Sequence, residues 1–384
     1  MSADIDYGEV REIFRRARKA GASDIHLVSG LPPAFRIDGQ IVTGRDPELT
    51  NYDTKRLTLC LLNGVQKEIL EKEFELCFSY LDEELGRFRV NVYYRNANPE
   101  MAIRCCNEEM QSATELGLPP IIDKLAMRPH GLIIITGPTG VGKTTTLHYM
   151  IDLINRERRA KVVMVEDPIE YVHTPAQSII IQQELYTDTL SFPRALIHIL
   201  RQDPDVIGIG EMRDPESIST ALEAAETGHL VLATLHTPDT SQTLDRIVAA
   251  FPTRDQNQIR AQLSGSVQAV VAQKLIPRAD QQGLALGYEM LIANAAVRNI
   301  IRDNETFKLY SVMQTGLKEG MITFEECLAA HYRNGTITYN QAYAHSPRPE
   351  QLRRILYGSG VPAEAAAQQA QQQQPQQQQG QPTT

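Results

Sequence analysis

The sequence predicts an α/β protein in two parts, a small α+β domain followed by a larger domain built on a mostly parallel sheet. Three observations support this prediction. A chain of 384 residues is too long for one ordinary hydrophobic core and indicates about two domains. Short strand-like segments separated by turn signals fill the first hundred residues. Farther along, apolar strands alternate with helical segments, which is typical of parallel strands covered by helices on both faces.

Composition narrows the class of protein. The formal net charge of −9 disfavours nonspecific binding of nucleic acid, which depends on an excess of basic surface. The 5 cysteines lack the spacing of a structural zinc site or a disulfide framework. No apolar run approaches the roughly twenty residues that span a bilayer, and the N-terminus does not resemble a targeting segment. We therefore expect a soluble, cytoplasmic protein that does not bind nucleic acid.

The first hundred residues combine helices and short strands. A helix is predicted at the N-terminus because Val10, Ile13, Phe14 and Ala17 share one helical face. A second helix is predicted at residues 57–62. Strands are predicted at residues 24–28, 34–37, 41–42, 75–80, 87–94 and 101–105. This mixture predicts a domain of the α+β class.

The stretch LIIITGPTGVGKTTTLHYMIDLIN, residues 132–155, contains a phosphate-binding motif in its required context. An apolar strand leads into a glycine-rich turn, and apolar residues at helical spacing follow it. In this motif, Lys143 faces the outer phosphates of a nucleotide and Thr144 can bind magnesium. The predicted nucleotide-binding residues are Gly137, Pro138, Thr139, Gly140, Val141, Gly142, Lys143, Thr144 and Thr145.

Acidic residues follow two of the later apolar strands. Residues 161–165 lead into Glu166, and residues 206–209 lead into Gly210 and Glu211. In open α/β sheets, ligands bind at the carboxyl ends of the strands. We therefore expect Glu211 to face magnesium or the water that it holds. For the two acidic residues that follow Glu166, capping of the next helix stays an alternative.

Histidines stand at both ends of the predicted strand at residues 230–235. His229 precedes this strand and His236 follows it, so at most one of them is expected near the phosphates. A lone histidine is more often a structural residue than a catalytic one. We interpret the following histidines as structural: His26, His148, His198 and His331.

Four segments of the chain resemble, in order and spacing, the Walker A, Asp-box, Walker B and His-box motifs of the secretion ATPase superfamily. They are the P-loop at residues 137–144, VEDPIEYVH at 165–173, LRQDPDVIGIGEMRD at 200–214 and AETGHLVLATLHT at 225–237. The similarity extends over most of the chain, including GASDIHL at residues 21–27. Within the superfamily, the chain resembles the type IV pilus retraction motors most. Their C-terminal Ala-Ile-Arg signature is Ala296-Val297-Arg298 here, and the exchange of isoleucine for valine preserves the shape well.

The resemblance implies a domain organisation. It gives a PAS-like domain at residues 1–106, a linker at 107–120 and a RecA-like P-loop ATPase domain at 121–358, assembled as a homo-hexamer with ATP and Mg²⁺ at its interfaces. Residues 359–384 are rich in Gln, Pro and Ala and contain few large apolar side chains, so we expect them to be disordered. Self-association of this Gln-rich tail is an alternative.

The resemblance also implies roles for individual residues. Glu211 would be the catalytic glutamate and, with Thr144, a magnesium ligand. Glu166 would position water or magnesium, and His229 would sense the γ-phosphate. An arginine from a neighbouring N-terminal domain completes such sites in the family, and the candidates here are Arg89 and Arg104.

The implied activity is ATP hydrolysis that powers pilus retraction and twitching motility at the inner face of the cytoplasmic membrane. The implied partners are further copies of the chain, an inner-membrane pilus platform protein and a second retraction ATPase. An accessory retraction motor or an ATPase of pilus assembly or type II secretion is an alternative within the superfamily. The short N-terminal region and the absence of tetracysteine spacing favour retraction. Alternatives of a different class are a RecA-like nucleic-acid translocase and a regulatory ATP-binding module.

Overall fold

The computed structural model of the chain describes residues 2–37, 39–106 and 110–358. Contacts between Cα atoms divide the chain into two compact units, Met1–Gln111 with His148–Ala233 and Ser112–Leu147 with Thr234–Thr384. Within the described part of the chain, no helix is both long and apolar enough to cross a membrane. The Gln-rich tail lies outside the described residues. The domain boundaries drawn from the sequence stay a prediction.

The N-terminal part of the first unit is an antiparallel sheet with three helices. Its elements are α1 (Ser2–Lys19), β1 (Asp24–Leu27), β2 (Ala34–Ile37), β3 (Gln40–Thr43), α2 (Asn51–Leu61), α3 (Gly64–Glu73), β4 (Glu75–Asp82), β5 (Gly86–Arg95) and β6 (Asn98–Cys105). The strand order is β3-β2-β1-β6-β5-β4, and each neighbouring pair is antiparallel. All six predicted strands and both predicted helices of this region are confirmed.

The core of this sheet explains why α1 and the strands were predictable and α3 was not. The apolar face of α1 is buried, and Phe14 stacks on Phe88 of β5 with ring centroids 4.2 Å apart. In α3, by contrast, only Gln66 and Leu70 are buried. A capping box between Asn63 and Gln66 begins this helix. Because α3 buries so few side chains, its sequence has little amphipathic pattern.

The rest of the chain alternates strands with helices and ends in a group of short helices. Its elements are α4 (Ala113–Leu116), α5 (Ile121–Ala126), β7 (Gly131–Thr136), α6 (Lys143–Glu157), β8 (Lys161–Glu166), β9 (Ile179–Glu184), α7 (Phe192–Ile199), β10 (Val206–Ile209), α8 (Pro215–Glu226), β11 (Leu230–Thr234), α9 (Thr240–Ala249), α10 (Gln256–Ser266), β12 (Val267–Pro277), β13 (Leu284–Ile292), α11 (Ala295–Arg302), α12 (Leu309–Thr315), α13 (Phe324–Arg333), α14 (Tyr339–His345) and α15 (Pro349–Tyr357), with 3₁₀ turns at Thr306–Lys308 and Leu317–Glu319.

Parallel strands occur in both units. In the first unit, β9, β8, β10 and β11 lie side by side and every neighbouring pair is parallel. In the second unit, β7 pairs with β12 in parallel, and β12 pairs with β13 in the antiparallel sense. Strand β7 is buried along its whole length, as its continuous apolar sequence predicts. The predicted α/β class with a mostly parallel sheet is confirmed.

A buried carboxylate joins the N-terminal sheet to the parallel strands within the first unit. Glu184, at the end of β9, is 2% exposed. Its Oε1 accepts a hydrogen bond from the backbone N–H of Ser79 on β4 at 3.0 Å, and its Oε2 accepts one from the N–H of Ile169 at 3.0 Å. The hydroxyl of Thr187 also donates to Oε1 at 3.1 Å. Both carboxylate oxygens are therefore satisfied without solvent.

Candidate nucleotide-binding site

The glycine-rich turn between β7 and α6 adopts a backbone conformation that requires glycine. Gly137 has φ +140°, and a Cβ atom there would lie 2.9 Å from Cγ2 of Val141 and closer still to the carbonyl oxygen of Gln273. Gly140 and Gly142 also have positive φ angles, +81° and +84°. Open space surrounds both of these glycines. Such a turn presents its backbone N–H groups to an anion at the start of a helix.

Lys143 is the first residue of α6 and is 7% exposed. Its Nζ donates to the carbonyl oxygen of Pro138 at 2.9 Å and lies 3.2 Å from Nδ1 of His236. An ammonium group can only donate, so Nδ1 accepts and a neutral His236 ring carries its proton on Nε2. Thr144 and Thr145 follow in the first turn of α6 and are partly exposed. The structure thus gathers the predicted P-loop residues and adds His236 to them.

Hydroxyl groups hold the His236 segment against the P-loop strand. Oγ1 of Thr136, the last residue of β7, donates to the carbonyl oxygen of Thr237 at 2.7 Å. Oγ1 of Thr237 lies 2.7 Å from Oγ1 of Thr243 on α9. On the other side, the amide of Gln273 donates to Oγ1 of Thr146 at 2.8 Å. The hydrogen bonds of Thr237 therefore fix the segment that carries His236, next to Lys143.

His229 lies at the opposite end of β11 from His236. Its Nδ1 donates to the carbonyl oxygen of Ala224 at 2.9 Å and lies 3.3 Å from Oγ1 of Thr227. His236 contacts Lys143 of the P-loop, and the expectation that at most one of the two histidines lies near the phosphates stays a prediction. The sensor role that the resemblance gives to His229 stays a prediction. The sequence pattern could not choose between them because it marks both ends of the strand equally.

Glu166 ends β8 and is 2% exposed. Nε2 of Gln182 donates to its Oε1 at 2.9 Å, and Nε2 of His148 lies 2.9 Å from its Oε2. His148 in turn contacts His173. Both oxygens of Glu166, which we expected to position water or magnesium, therefore contact other side chains. His148, interpreted from the sequence as an isolated structural residue, contacts a predicted site residue.

The other acidic residues near the strand ends have basic partners. Glu211 follows β10, is partly exposed, and its Oε2 lies 2.8 Å from Nη2 of Arg213. Burial raises the pKa of the Asp167 carboxyl, while the positive charges of Arg213 and Arg89 oppose that shift. The alternative that Asp167 and Glu170 cap the next helix is wrong, because the next element is the strand β9. The magnesium and catalytic roles expected of Glu211 stay predictions.

Arg89 and Arg104 face each other across β5 and β6, so both side chains lie on the same face of the N-terminal sheet. Nη1 of Arg89 donates to Oε1 of Glu170 at 2.7 Å. Nε of Arg104 donates to Oδ1 of Asp24 at 3.2 Å, and this arginine side chain is 65% exposed. Their action on a neighbouring subunit stays a prediction. Of the two, Arg104 is the more accessible.

Comparison with known proteins decides the family. The model of the type II/IV secretion system proteins matches residues 8–310 of the chain. The chain belongs to this family. It is 38% identical to the type IV pilus retractation ATPase PilT of Pseudomonas aeruginosa over 90% of its length and 100% of that relative. It is 41% identical to a twitching motility protein of Neisseria gonorrhoeae, over 83% of this chain and 86% of the relative.

A solved structure in this secretion-protein family has the same fold. The crystal structure of the pilus retraction motor PilT with bound ADP matches with a TM-score of 0.82 and 44% identity, over 89% of this chain and 98% of that one. The match confirms the predicted secretion-ATPase fold with its P-loop domain. The PAS-like character of the N-terminal sheet stays a prediction. Nucleotide binding is consistent with the ADP in that related structure.

Proposed function

We propose that this chain is an ATP-hydrolysing motor that powers the retraction of type IV pili and hence twitching motility. The single observation that carries the proposal is the P-loop with its buried Lys143, held between Pro138 and His236. A buried ammonium group in a glycine-lined loop is the arrangement that binds the outer phosphates of a nucleotide. The identity to a retractation ATPase along that relative's whole length supports the assignment of pilus retraction.

Magnesium is part of the proposed chemistry. Among the residues that the structure describes, no group of three or more His, Cys, Asp or Glu side chains could hold a metal ion. Mg²⁺ fits such a site, because it keeps several waters and binds through one or two protein groups together with substrate phosphates. The Thr144 hydroxyl and the Glu211 carboxylate are the groups that would hold it. When bound, the ion neutralises charge on the phosphates.

The side chains divide the work of hydrolysis. Lys143 neutralises negative charge that develops on the transferred phosphoryl group. Glu211, partly exposed after β10, orients the attacking water, and Glu166 supports that role from its buried position. Arg104 or Arg89 of a neighbouring subunit would add positive charge when the interface closes. Hydrolysis would thereby be coupled to movement between subunits.

Assembly and location follow from the proposed function. The active form would be a homo-hexamer at the inner face of the cytoplasmic membrane, in contact with an inner-membrane platform protein of the pilus. A second retraction ATPase is a further proposed partner. These proposals rest on the family resemblance of the sequence and on the extent of the match to the retraction motor.

Deletion of the gene in its native cell tests the proposal. Cells that lack a retraction motor should carry excess surface pili and should not twitch. A plasmid copy of the wild-type gene should restore twitching, whereas a copy with Lys143→Ala should not, although the variant accumulates to the same level. Purified wild-type protein should hydrolyse ATP, and Lys143→Ala should nearly abolish this activity.

The outcomes separate the alternatives. Deleted cells without pili would assign the chain to pilus assembly. Excess pili with weak residual twitching would indicate an accessory motor. Strong stimulation of ATP hydrolysis by single-stranded DNA would indicate a nucleic-acid translocase. ATP binding without hydrolysis by the wild-type protein would indicate a regulatory module.

A further inference from the structure

Three buried polar side chains, which we call the His148 triad, contact one another in sequence. They are His173, His148 and Glu166. His148 is 0% exposed, Glu166 is 2% exposed and His173 is 8% exposed. Nδ1 of His148 lies 2.8 Å from Nε2 of His173, and Nε2 of His148 lies 2.9 Å from Oε2 of Glu166. Nε2 has no aligned hydrogen-bond partner, so its ion-pair contact with Glu166 is the interaction on that side of the ring. The two imidazole rings are stacked, with centroids 5.0 Å apart.

The positions of the protons on the imidazole nitrogens of His148 and His173 follow from the chemistry of the contacting groups. Burial, and then the charge of His148, lower the pKa of His173 to about 3, so His173 is neutral near pH 7. The hydrogen bond between the two rings runs either from Nε2 of His173 to Nδ1 of His148 or in the opposite direction. When His173 is the donor, Nδ1 of His148 accepts and the proton of a neutral His148 is on Nε2, the atom that lies 2.9 Å from Oε2 of Glu166. This arrangement turns an N–H group, and not a lone pair, toward the carboxylate oxygen.

The remaining oxygen of Glu166 is also fixed. Nε2 of Gln182 donates to Oε1 of Glu166 at 2.9 Å and to the carbonyl oxygen of Tyr171 at 2.7 Å. The backbone N–H of His173 donates to Oε1 of Gln182 at 3.0 Å. Gln182 and His148 thus hold the carboxylate from two sides. A carboxylate bound in this way has one orientation, and its orientation depends on both partners.

His148 lies on α6, the helix that follows the P-loop. His148 is four residues after Thr144, so the two side chains lie on the same face of α6. The face that carries the proposed magnesium ligand therefore also carries the donor to Glu166. Burying an imidazole is unfavourable unless its nitrogens meet polar atoms. Nδ1 of His148 forms a hydrogen bond with His173, and Nε2 meets Glu166 at ion-pair distance.

We propose that His148 is a positioning residue for nucleotide hydrolysis, which holds the Glu166 carboxylate in its working orientation and is itself oriented by His173. This inference rests on the proposed ATPase function. His148 acts on Glu166 and not on the nucleotide. Its loss should therefore slow turnover without weakening nucleotide binding.

Three variants of the purified chain test the proposal. His148→Leu fills a similar volume without a donor, and we expect kcat to fall about tenfold while the Kd for a fluorescent ADP analogue stays unchanged. His148→Gln carries an amide that can reach Oε2, and we expect it to restore most of the lost kcat. Ile154→Ala, buried on the same helix, is the matched control. It lowers the melting temperature by making a cavity, and it removes no polar group.

Each outcome supports or overturns the proposal. Unchanged kcat in His148→Leu overturns it, as does a loss of kcat that Ile154→Ala reproduces at an equal loss of melting temperature. A parallel loss of nucleotide affinity also overturns it, because the effect would then lie in binding. If His148→Leu does not fold, His173→Gln takes its place with the same expected split between kcat and Kd. Absence of ATP hydrolysis by the wild-type protein would instead refute the proposed function.

Discussion

Replacement of Arg298, the arginine of the retraction signature, should destabilise the chain measurably. Nη1 of Arg298 donates to the carbonyl oxygens of Ser264 and Gly265 at 2.6 and 2.7 Å. These carbonyls belong to the last turn of α10, where helix geometry leaves them without intrahelical partners. Burial, and then the charge of Arg128, lower the pKa of Arg298. The side chain therefore caps the C-terminal end of α10.

The loss in free energy of unfolding expected for Arg298→Ala follows from these two hydrogen bonds. Hydrogen bonds to charged groups contribute about 1.5–3 kcal/mol each. Both bonds here use one nitrogen of a partly exposed side chain, so solvent screening reduces their sum to about 1–2 kcal/mol. A loss of that size lowers the melting temperature by about 2–8 °C in a domain of this size. Arg298→Lys keeps the charge at the negative end of the helix and should recover about half of the loss.

Thermal unfolding monitored by circular dichroism, at one protein concentration and without nucleotide, measures this effect. Arg302→Ala, an exposed arginine at the end of the same helix α11, is the matched control and should change stability by no more than about 0.5 kcal/mol. Equal melting temperatures for the two variants would refute the capping argument. In cells, we expect Arg298→Ala to retain most ATP turnover, to lose twitching and to accumulate excess pili. Full twitching would show that pilus retraction does not require Arg298.

Three further variants test the candidate site. Glu211→Gln keeps the shape of the side chain and removes its charge, so a filter-binding assay should show retained ATP binding while phosphate release falls by about 100-fold; loss of binding would show that Glu211 is structural. Gly137→Ala places a Cβ against the carbonyl oxygen of Gln273, so calorimetry should show loss of nucleotide affinity, and wild-type affinity would contradict the geometry of the turn. His236→Ala removes the neighbour of the Lys143 ammonium and should lower kcat more than His229→Ala does, whereas the reverse order would favour His229 as the phosphate sensor.

The elements that the sequence predicts best are those with a strong pattern of burial. Strand β10 coincides with its predicted bounds because it is buried throughout, and Gly210 follows its last residue. Helix α3 buries too few residues to show a helical period. Strand β9 also escaped prediction, because it is only partly buried and ends in polar residues. The periodic spacing of apolar residues reflects which side chains are buried. An element that buries few side chains therefore shows little periodicity in its sequence.

Some features of the candidate site could be predicted from the sequence and others could not. The P-loop could be predicted because its chemistry lies in consecutive residues. The contact between Lys143 and His236 could not, because it joins residues 93 positions apart. The same holds for His148 and Glu166, whose contact joins α6 to β8. A motif gives the residue types of a site, whereas the pairing of distant side chains depends on packing.

The buried carboxylate of Glu184 has a mechanical consequence. It holds the backbone of β4 through Ser79 and the acidic segment after β8 through Ile169, with one oxygen for each. Both contacts end on backbone N–H groups, so the buried Glu184 side chain is the one side chain in this connection. A displacement of the acidic segment that preserves these bonds must therefore carry the edge of the N-terminal sheet with it. Within this unit, we therefore expect Glu184 to couple movement of the acidic segment to movement of the six-stranded sheet.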